Sequence, residues 1–203
     1  MITVRAKKKL GEFQLDAELH DEGFICLCGR NGSGKTTLLS IISGLVAPDE
    51  GFVKIGSDDV TQLPIEKRRI VLVTPNSYIP HLNVDSHLRW GAKARGVEDE
   101  VNENQINRIK KALGITFSEK MYKLSLGMRE RVALGTALLS KPYVVLVDEA
   151  FSNIDNKEDF IKEYRSLCME HHLDAIFTTQ FPEDAYLADH QYAIENGKTT
   201  RLS

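Results

Sequence analysis

The sequence predicts an α/β fold built around a mainly parallel sheet. Three observations predict it: short apolar strands alternate with helical segments, a glycine-rich loop joins one strand to a helix, and turn residues separate the segments. Strands that alternate with helices are typical of parallel sheets covered by helices. The 203 residues suffice for one domain with a small inserted lobe.

Composition limits the class of protein before any motif is considered. The chain carries 26 Lys+Arg against 29 Asp+Glu, a near-neutral balance that argues against a nucleic-acid binder. No apolar run approaches the roughly 18 to 20 residues of a membrane span, and charges occupy the place of a signal peptide's apolar region. We therefore expect a cytosolic protein in which Cys26, Cys28 and Cys168 are free thiols. For Cys26 and Cys28, small core side chains are favoured over a two-ligand metal site.

The N-terminal part of the chain is predicted to form strands joined by turns. Residues 2–9 and 12–19 alternate apolar and polar side chains, as half-buried strands do. Residues 24–28 form a continuous apolar run that suits a strand covered on both faces. After a helix, residues 48–51 have turn chemistry and residues 52–55 predict another short strand. An N-terminal antiparallel β subdomain is therefore expected.

The middle of the chain changes character. Helical spacing covers residues 84–94, 101–113 and 128–139, with almost no β-rich run between 78 and 140. We interpret this as a helical subdomain inserted into a single domain that occupies residues 1–203, with 1–77 and 141–203 as the core. The remaining core elements are predicted as strands over 143–148 and 174–179, helices over 156–170 and 182–188, and a hairpin turning at Asn196-Gly197.

The strongest motif is a complete G-x-x-x-x-G-K-[ST] phosphate loop between strand 24–28 and the helix after it. Glycines let its backbone curl around phosphate oxygens, and N–H groups and the helix dipole converge on one anion. We expect Lys35 to contact the β- and γ-phosphates and the Thr36 hydroxyl to bind Mg²⁺. The candidate phosphate-binding residues are Gly29, Arg30, Asn31, Gly32, Ser33, Gly34, Lys35, Thr36 and Thr37.

An acidic pair follows the predicted strand near residue 147. Asp148 and Glu149 come directly after the apolar run 144–147, so a buried strand would deliver both carboxylates to the sheet edge near the phosphate loop. There Asp148 can hold Mg²⁺ through its water shell, and Glu149 can polarise a water for attack on the γ-phosphate. The alternative is an acidic pair that caps the next helix, and the phosphate loop makes it the weaker interpretation.

Between these two motifs lies the segment LSLGMRERVAL, residues 124–134. With the phosphate loop and the acidic strand, it resembles the ATP-binding-cassette ATPases, whose signature LSGGQ and following helix occupy this place. The resemblance covers nearly the whole chain and implies a P-loop NTPase core that binds ATP and Mg²⁺ and hydrolyses ATP. It also implies that Ser125 and the backbone of Gly127 contact the γ-phosphate bound to the opposite subunit, and a serine and glycine at a helix N-terminus suit an anion.

Other segments extend this resemblance. Residues 152–155 resemble the loop that couples the two sites across the dimer, with Asp155 at its acidic position. Phe13 lies where the family places an aromatic residue against adenine, and a core phenylalanine on a strand is an equally weighted alternative. Residues 59–69 and 79–84 resemble the corresponding segments of bacterial and archaeal importer cassettes. Among these, the molybdate, tungstate and sulfate type is nearest.

Three places depart from the family pattern. Residues 74–76 stand where a glutamine normally links Mg²⁺ to the transporter-facing lobe, and Asn76 has the same amide with a shorter reach. Leu126 and Met128 replace a glycine and a polar residue of the signature. Gln180 replaces a histidine that contacts the γ-phosphate and the attacking water. It can donate a hydrogen bond but cannot carry a proton, so slow hydrolysis is expected.

The resemblance predicts the nucleotide-binding subunit of an importer. It implies a homodimer or paired cassette, cytoplasmic and peripheral on the inner face of the membrane. Its partners would be a transmembrane permease, through which alone it meets the membrane, and a solute-binding protein of the same system; no nucleic acid is expected. Two alternatives stay open: a nucleotide-gated interaction module with weak or no turnover, and a soluble cassette that serves no transporter.

Overall fold

The computed structural model describes all 203 residues. The strands are β1 (Ile2–Leu10), β2 (Phe13–Asp21), β3 (Phe24–Cys28), β4 (Glu50–Ile55), β5 (Asp58–Asp59), β6 (Ile70–Val73), β7 (Val144–Val147), β8 (Asp174–Thr179), β9 (His190–Glu195) and β10 (Lys198–Arg201). The α-helices are α1 (Lys35–Ser43), α2 (Val84–Ala94), α3 (Glu103–Ala112), α4 (Leu126–Leu139) and α5 (Lys157–Glu170). Short 3₁₀ turns complete the chain, and one of them, Pro182–Leu187, takes the place of the predicted short helix over 182–188.

The strands form one mixed sheet in the order β5-β4-β1-β2-β10-β9-β3-β8-β7-β6. The N-terminal strands β1, β2, β4 and β5 pair antiparallel, which confirms the predicted antiparallel subdomain. Around β3 the pairing is parallel: β8 and β9 flank β3, and β7 lies beside β8. Because parallel strands end at the same edge, the segments that follow β3, β7 and β8 are brought together.

The predicted hairpin is confirmed between β9 and β10. Its two turn residues, Asn196 and Gly197, have φ of 48° and 78°, the left-handed conformation that a two-residue type I′ turn requires. Two strands, β5 and β6, were not predicted from the sequence. β5 has only two residues, and the apolar run of β6 is four residues long, which is short for a periodicity argument.

Two helices begin at positions set by capping side chains. α3 begins at Glu103, after residue 101 where the helix was predicted to start, because Asn102 and Gln105 form a reciprocal capping box. α4 begins at Leu126, before the predicted start at Met128. Ser125 caps it, since its Oγ accepts the Met128 N–H at 3.3 Å.

The chain folds as two compact units, of which the first comprises Met1–Leu72, Tyr143–Asp148 and Leu173–Ser203. Its core joins apolar side chains of the sheet to the buried face of α1, including Leu38 and Ile42. All five residues of β3 are buried, so the loop that follows it starts from a fully packed strand. The three cysteines of the chain are free and buried.

The second unit comprises Val73–Pro142 and Glu149–His172 and contains helices α2 to α5. In this unit α2 and α4 approach closely at Gly91, which has no side chain. A Cβ at this position would lie only 2.7 Å from the Thr136 carbonyl oxygen. His87 on α2 is buried against α4, and its Nδ1 lies 2.9 Å from Thr136 Oγ1.

Residues 149–172 thus group with the helices, whereas the sequence-based division placed them in the core. The division by function, into a nucleotide-binding core over 1–77 and 141–203 and a helical subdomain over 78–140, stays a prediction. None of the helices has both the length and the apolar character needed to cross a membrane.

Candidate active site

The phosphate loop leads from β3 directly into the N-terminus of α1. The loop is anchored where Gly29 N–H donates to the Thr179 carbonyl at 3.0 Å. No side chain caps α1, and the first backbone hydrogen bond runs from Leu38 N–H to Gly34 O at 2.9 Å. The N–H groups of a helix's first turn have no acceptor within the helix, so those of α1 face the loop at the positive end of the helix dipole, where an anion is favoured.

Glycine is required at two loop positions by close contacts. A Cβ at Gly29 would lie 2.4 Å from the Ile194 carbonyl oxygen, so the loop could not lie against β9 with any side chain there. Gly34 has φ +113°, and a Cβ on it would lie 2.9 Å from Cζ of Phe13. Both contacts hold the loop in its curled form against the sheet.

Lys35 and Ser33 place polar atoms inside this loop. Lys35 is only 4% exposed, and its Nζ donates to the carbonyl oxygens of Gly29 at 2.8 Å and Arg30 at 3.2 Å. The Oγ of Ser33 is buried and has no hydrogen-bond partner within the protein. Buried polar groups are normally satisfied, so an orphaned hydroxyl in a phosphate loop fits a ligand that supplies oxygen acceptors.

A hydrogen-bonded corner lies at the ends of β7 and β8. Asp148 follows β7 and is 8% exposed. Its two carboxylate oxygens accept from two threonine hydroxyls, Thr36 Oγ1 at 2.7 Å and Thr178 Oγ1 at 2.9 Å. Thr36 was predicted as a metal ligand, whereas Thr178 was not predicted. Thr178 could have been found as a hydroxyl near the end of a strand expected to run parallel to the acidic strand.

Glu149 directly follows this corner and is half-buried. Its φ of 58° is left-handed, which is unusual for a residue with a side chain, and its carbonyl oxygen accepts Ser152 N–H at 3.1 Å. A tight turn over residues 149–152 therefore begins directly after Asp148. Backbone strain of this kind is often kept where a side chain has to be aimed.

Gln180 follows β8 and is exposed. The residues on either side of it are fixed: Thr179 Oγ1 donates to Asp184 Oδ2 at 2.6 Å and accepts the Phe181 N–H at 3.1 Å. Since Thr179 O also accepts the Gly29 N–H, the segment that carries Gln180 is tied to the phosphate loop. The side chain is thus presented from an ordered position on the first unit.

Phe13 begins β2 and is partly buried against the core of the first unit. Its ring edge lies beside Gly34, since a Cβ on that residue would be only 2.9 Å from Phe13 Cζ. The ring therefore borders the phosphate loop and also packs on the core, so both sequence-based interpretations remain compatible with its position.

In the second unit, Ser125 and Gly127 stand at the N-terminus of α4. Ser125 is exposed, and its hydroxyl caps the helix. Gly127 admits no side chain, because a Cβ there would lie 2.3 Å from the Asn153 carbonyl oxygen. Asp155 is exposed in the segment that contains Asn153, and its carbonyl accepts from Arg131 Nη2 at 3.2 Å. The structure thus brings the predicted signature and the predicted coupling loop together.

Asn76 is exposed in a turn after β6. Its N–H donates to Thr74 Oγ1 at 3.3 Å, and the Thr74 N–H donates to Ser77 Oγ at 2.9 Å. These short-range bonds hold the turn and leave the Asn76 amide outward. No sequence argument pointed to Thr74, whose hydroxyl organises this turn.

A glycine-rich loop that leads into a helix N-terminus, a buried lysine, and a threonine bonded to a strand-end aspartate define a P-loop nucleotide-binding protein. The family model described as ABC transporter matches residues 13–152 of the chain. The chain belongs to this family, and its ATP-binding cassette corresponds to the predicted P-loop core.

Sequence relatives are import ATP-binding proteins. ModC of Haemophilus influenzae, a molybdenum import ATP-binding protein, is 34% identical over 97% of this chain and 58% of its own length. WtpC of Archaeoglobus fulgidus, a molybdate/tungstate import ATP-binding protein, is 35% identical over 97% of this chain and 84% of its own length. The chain spans 58% and 57% of the length of the ModC relatives from Haemophilus influenzae and Photobacterium profundum.

Solved structures share the fold. The dimeric bacterial ABC transporter cassette MJ0796 has a TM-score of 0.80 at 22% identity, with 100% of this chain and 99% of that chain covered. A post-hydrolysis state of the same cassette, bound to ADP and Pi, has a TM-score of 0.81 at 21% identity, with 100% and 99% covered.

Proposed function

We propose that this chain is the ATP-binding and ATP-hydrolysing subunit of a solute importer. The observation that carries the proposal is the corner at the phosphate loop, where Thr36 and Thr178 both donate to Asp148. This corner joins an anion site to oxygen ligands, which is the combination that a nucleotide triphosphate and its cation require.

ATP would be held through its phosphates. The N–H groups at the start of α1 would donate to phosphate oxygens, and Lys35 would exchange its bonds to the Gly29 and Arg30 carbonyls for charge-assisted bonds to phosphate. Thr36 and Asp148, both on the first unit, offer the hard oxygen ligands that Mg²⁺ prefers. When bound there, Mg²⁺ would neutralise charge on the phosphates.

Hydrolysis would need a base and a γ-phosphate contact. Glu149 would accept the proton of the attacking water, since it follows Asp148 directly on a strained turn. Gln180 would donate a hydrogen bond to the γ-phosphate or orient the water, but it would not move a proton. Glu149 would then be the only base at the site. Because Gln180 cannot carry a proton, we expect slow turnover.

The second half of each site would come from another cassette. In a head-to-tail dimer, Ser125 and Gly127 at the N-terminus of α4 would face the γ-phosphate of the opposite subunit, and Asp155 would couple the two sites. Support comes from the exposure of Ser125 and Asp155 and from the dimeric state of a solved cassette of the same fold.

The partners of the cassette would be a membrane permease and a solute-binding protein. The cassette would lie on the cytoplasmic face of the membrane. The relatives' names suggest an oxyanion as the class of solute.

Steady-state ATPase assays of the purified protein and of Glu149→Gln test the proposal. We expect turnover in the wild type and a loss of about 100-fold or more in the variant, because removal of a general base costs about 10² to 10⁴. Glu163→Ala on α5 is the matched control: this half-buried acid pairs with Arg108, outside the site, and the variant should retain wild-type turnover. Equal rates of ATP hydrolysis for wild type and Glu149→Gln would exclude the proposed ATPase function.

One observation favours a second candidate, a nucleotide-gated module with weak or no turnover. Gln180 is held in an ordered position near the phosphate loop and has no titratable group. This candidate predicts ATP-dependent dimerisation without turnover above that of Glu149→Gln. A cassette that serves no transporter predicts, in addition, that no membrane protein copurifies with it.

A further inference from the structure

Glu130 is a buried acid on α4 that the proposed chemistry does not use. It is 1% exposed, its Oε1 accepts the Asn153 side-chain amide at 2.9 Å, and its Oε2 is buried without a partner. Burial raises the pKa of the Glu130 carboxyl above its ordinary value, and the hydrogen bonds from Asn153 lower it in part. A buried acid with one unsatisfied oxygen is costly, so an apolar side chain would serve packing better.

The segment 152–155 is attached to α4 at three successive points. Gly127 lies against the Asn153 carbonyl, Glu130 binds the Asn153 side chain, and Arg131 donates to the Asp155 carbonyl at 3.2 Å. Residues 127, 130 and 131 share one face of a helix because they are three and four positions apart. Arg131 also donates to the Leu113 carbonyl at 2.8 Å, which fixes its own position.

The bond to Glu130 is not needed to satisfy Asn153. Asn153 is exposed, and water could accept from its amide at similar energy. The hydrogen bond from Asn153 to Glu130 instead fixes the position of the segment. It holds the main chain of residues 152–155 against the first two turns of α4, close to Ser125 and Gly127.

We propose that Glu130 is a positioning residue that fixes the segment Ser152–Asp155 to α4, so that Ser125 and Asp155 keep one geometry and move as one body. The role of this geometry in turnover rests on the proposed function, in which both residues face a second cassette. The attachment itself can be tested without any hydrolysis.

Hydrogen exchange tests the attachment. In Glu130→Ala, amides of residues 152–155 should exchange at least about tenfold faster, because the local opening that exposes them becomes easier. In Glu130→Gln, whose amide oxygen can still accept from Asn153, the rates should stay within about twofold of wild type. Amides of the phosphate loop should be unchanged in both variants, and Glu163→Ala on α5 is the control for loss of an acid from the same unit.

Kinetics test the positioning role. Glu130→Ala should lower kcat for ATP about tenfold with KM unchanged, since the nucleotide-binding loop is intact and only the second half-site is loosened. Glu130→Gln should restore kcat. If Glu130→Ala does not fold, the exposed Asn153→Ala removes the same bond and should give the same pattern.

Three results would overturn the inference. They are unchanged exchange of residues 152–155 in Glu130→Ala, a Glu130→Gln variant as impaired as Glu130→Ala, or a raised KM with unchanged kcat. Failure of the proposed function would look different, because the wild type and Glu149→Gln would then turn over ATP equally while the exchange comparison still decided the attachment.

Discussion

The phosphate-loop corner of the first unit and the N-terminus of α4 in the second unit are the two proposed anion sites, and they are built in opposite ways. In the first, Lys35 and Asp148 are buried and bonded to neighbours inside the unit. In the second, Ser125 is exposed. The helix that carries it is supported by contacts of Gly127 and Glu130 with Asn153. The first is organised to enclose a ligand, and the second is organised to be presented to one.

The two regions should therefore differ in what each can bind alone. An enclosed site with a lysine and a strand-end aspartate can bind nucleotide by itself. An exposed helix N-terminus with a single serine has too few groups for tight binding and gains affinity only when another surface completes it. Variants in the two regions should therefore separate nucleotide binding from turnover.

The largest effect is expected for Lys35→Ala. Removing a buried, charge-assisted donor should cost about 2–5 kcal/mol of ATP binding, or roughly 30-fold or more in affinity. Isothermal titration with ATP and Mg²⁺ measures it, and the exposed Lys7→Ala serves as control. Wild-type affinity in Lys35→Ala would contradict the enclosed-site description.

Acid should act on the second unit through His87. Burial lowers the pKa of His87 from 6.5 to about 4, so the folded state binds fewer protons than the unfolded state between these values. Stability should be fully present above about pH 6.5 and should fall by about 3 kcal/mol as the pH drops to about 4. Urea unfolding followed by the fluorescence of Trp90 on α2 measures it.

The matched variants for this prediction are His87→Gln and His81→Gln. His87→Gln keeps a hydrogen-bonding group toward Thr136 and removes the titration, so its stability should vary less over this range. His81 is exposed, and its replacement should leave the wild-type profile intact. A His87→Gln profile as steep as that of wild type would rule out this histidine as the cause.

Two glycine substitutions compare the regions directly. Gly34→Ala places a Cβ 2.9 Å from Phe13 at φ +113° and should weaken ATP binding. Gly127→Ala places a Cβ 2.3 Å from the Asn153 carbonyl and should leave ATP binding intact while lowering turnover. Overpacking of about 1–3 kcal/mol corresponds to roughly five- to 150-fold in each case. Equal losses of affinity in both variants would remove the distinction between the regions.

The smallest effect is expected from the charge of Glu130. Its raised pKa means that the folded state retains a proton that the unfolded state releases, so stability should decline as the pH rises from about 4.5 through the raised value. Relative to wild type, Glu130→Gln should become more stable at pH 8 than at pH 4. Denaturant titrations at the two pH values measure it, and a constant difference would show that Glu130 does not titrate differently on folding.

Contiguous motifs made the local structure around the candidate site largely predictable. The phosphate loop, the acidic strand end and the Asn196-Gly197 turn each depend on residues next to one another in sequence, so their chemistry could be read locally. The first-unit corner was predicted in part: Thr36 and Asp148 were expected, but Thr178 depends on the pairing of β7 with β8.

Contacts across long sequence separations could not be predicted. The bond from Asn153 to Glu130 and the close approach of Asn153 to Gly127 depend on how a loop packs on a helix. The packing of α5 on α3 within the second unit has the same origin. Periodicity reveals which face of an element is buried but not its neighbour.

In the proposed dimer, an enclosed half-site on one cassette and a presented half-site on another form one ATPase site. Complementation tests it most directly: Lys35→Ala has only the second half intact, and Ser125→Glu has only the first. Each alone should be inactive, and an equimolar mixture should recover about a quarter of wild-type turnover, since half of the dimers are mixed and each mixed dimer has one complete site. A mixture no more active than the separate variants would contradict the claim.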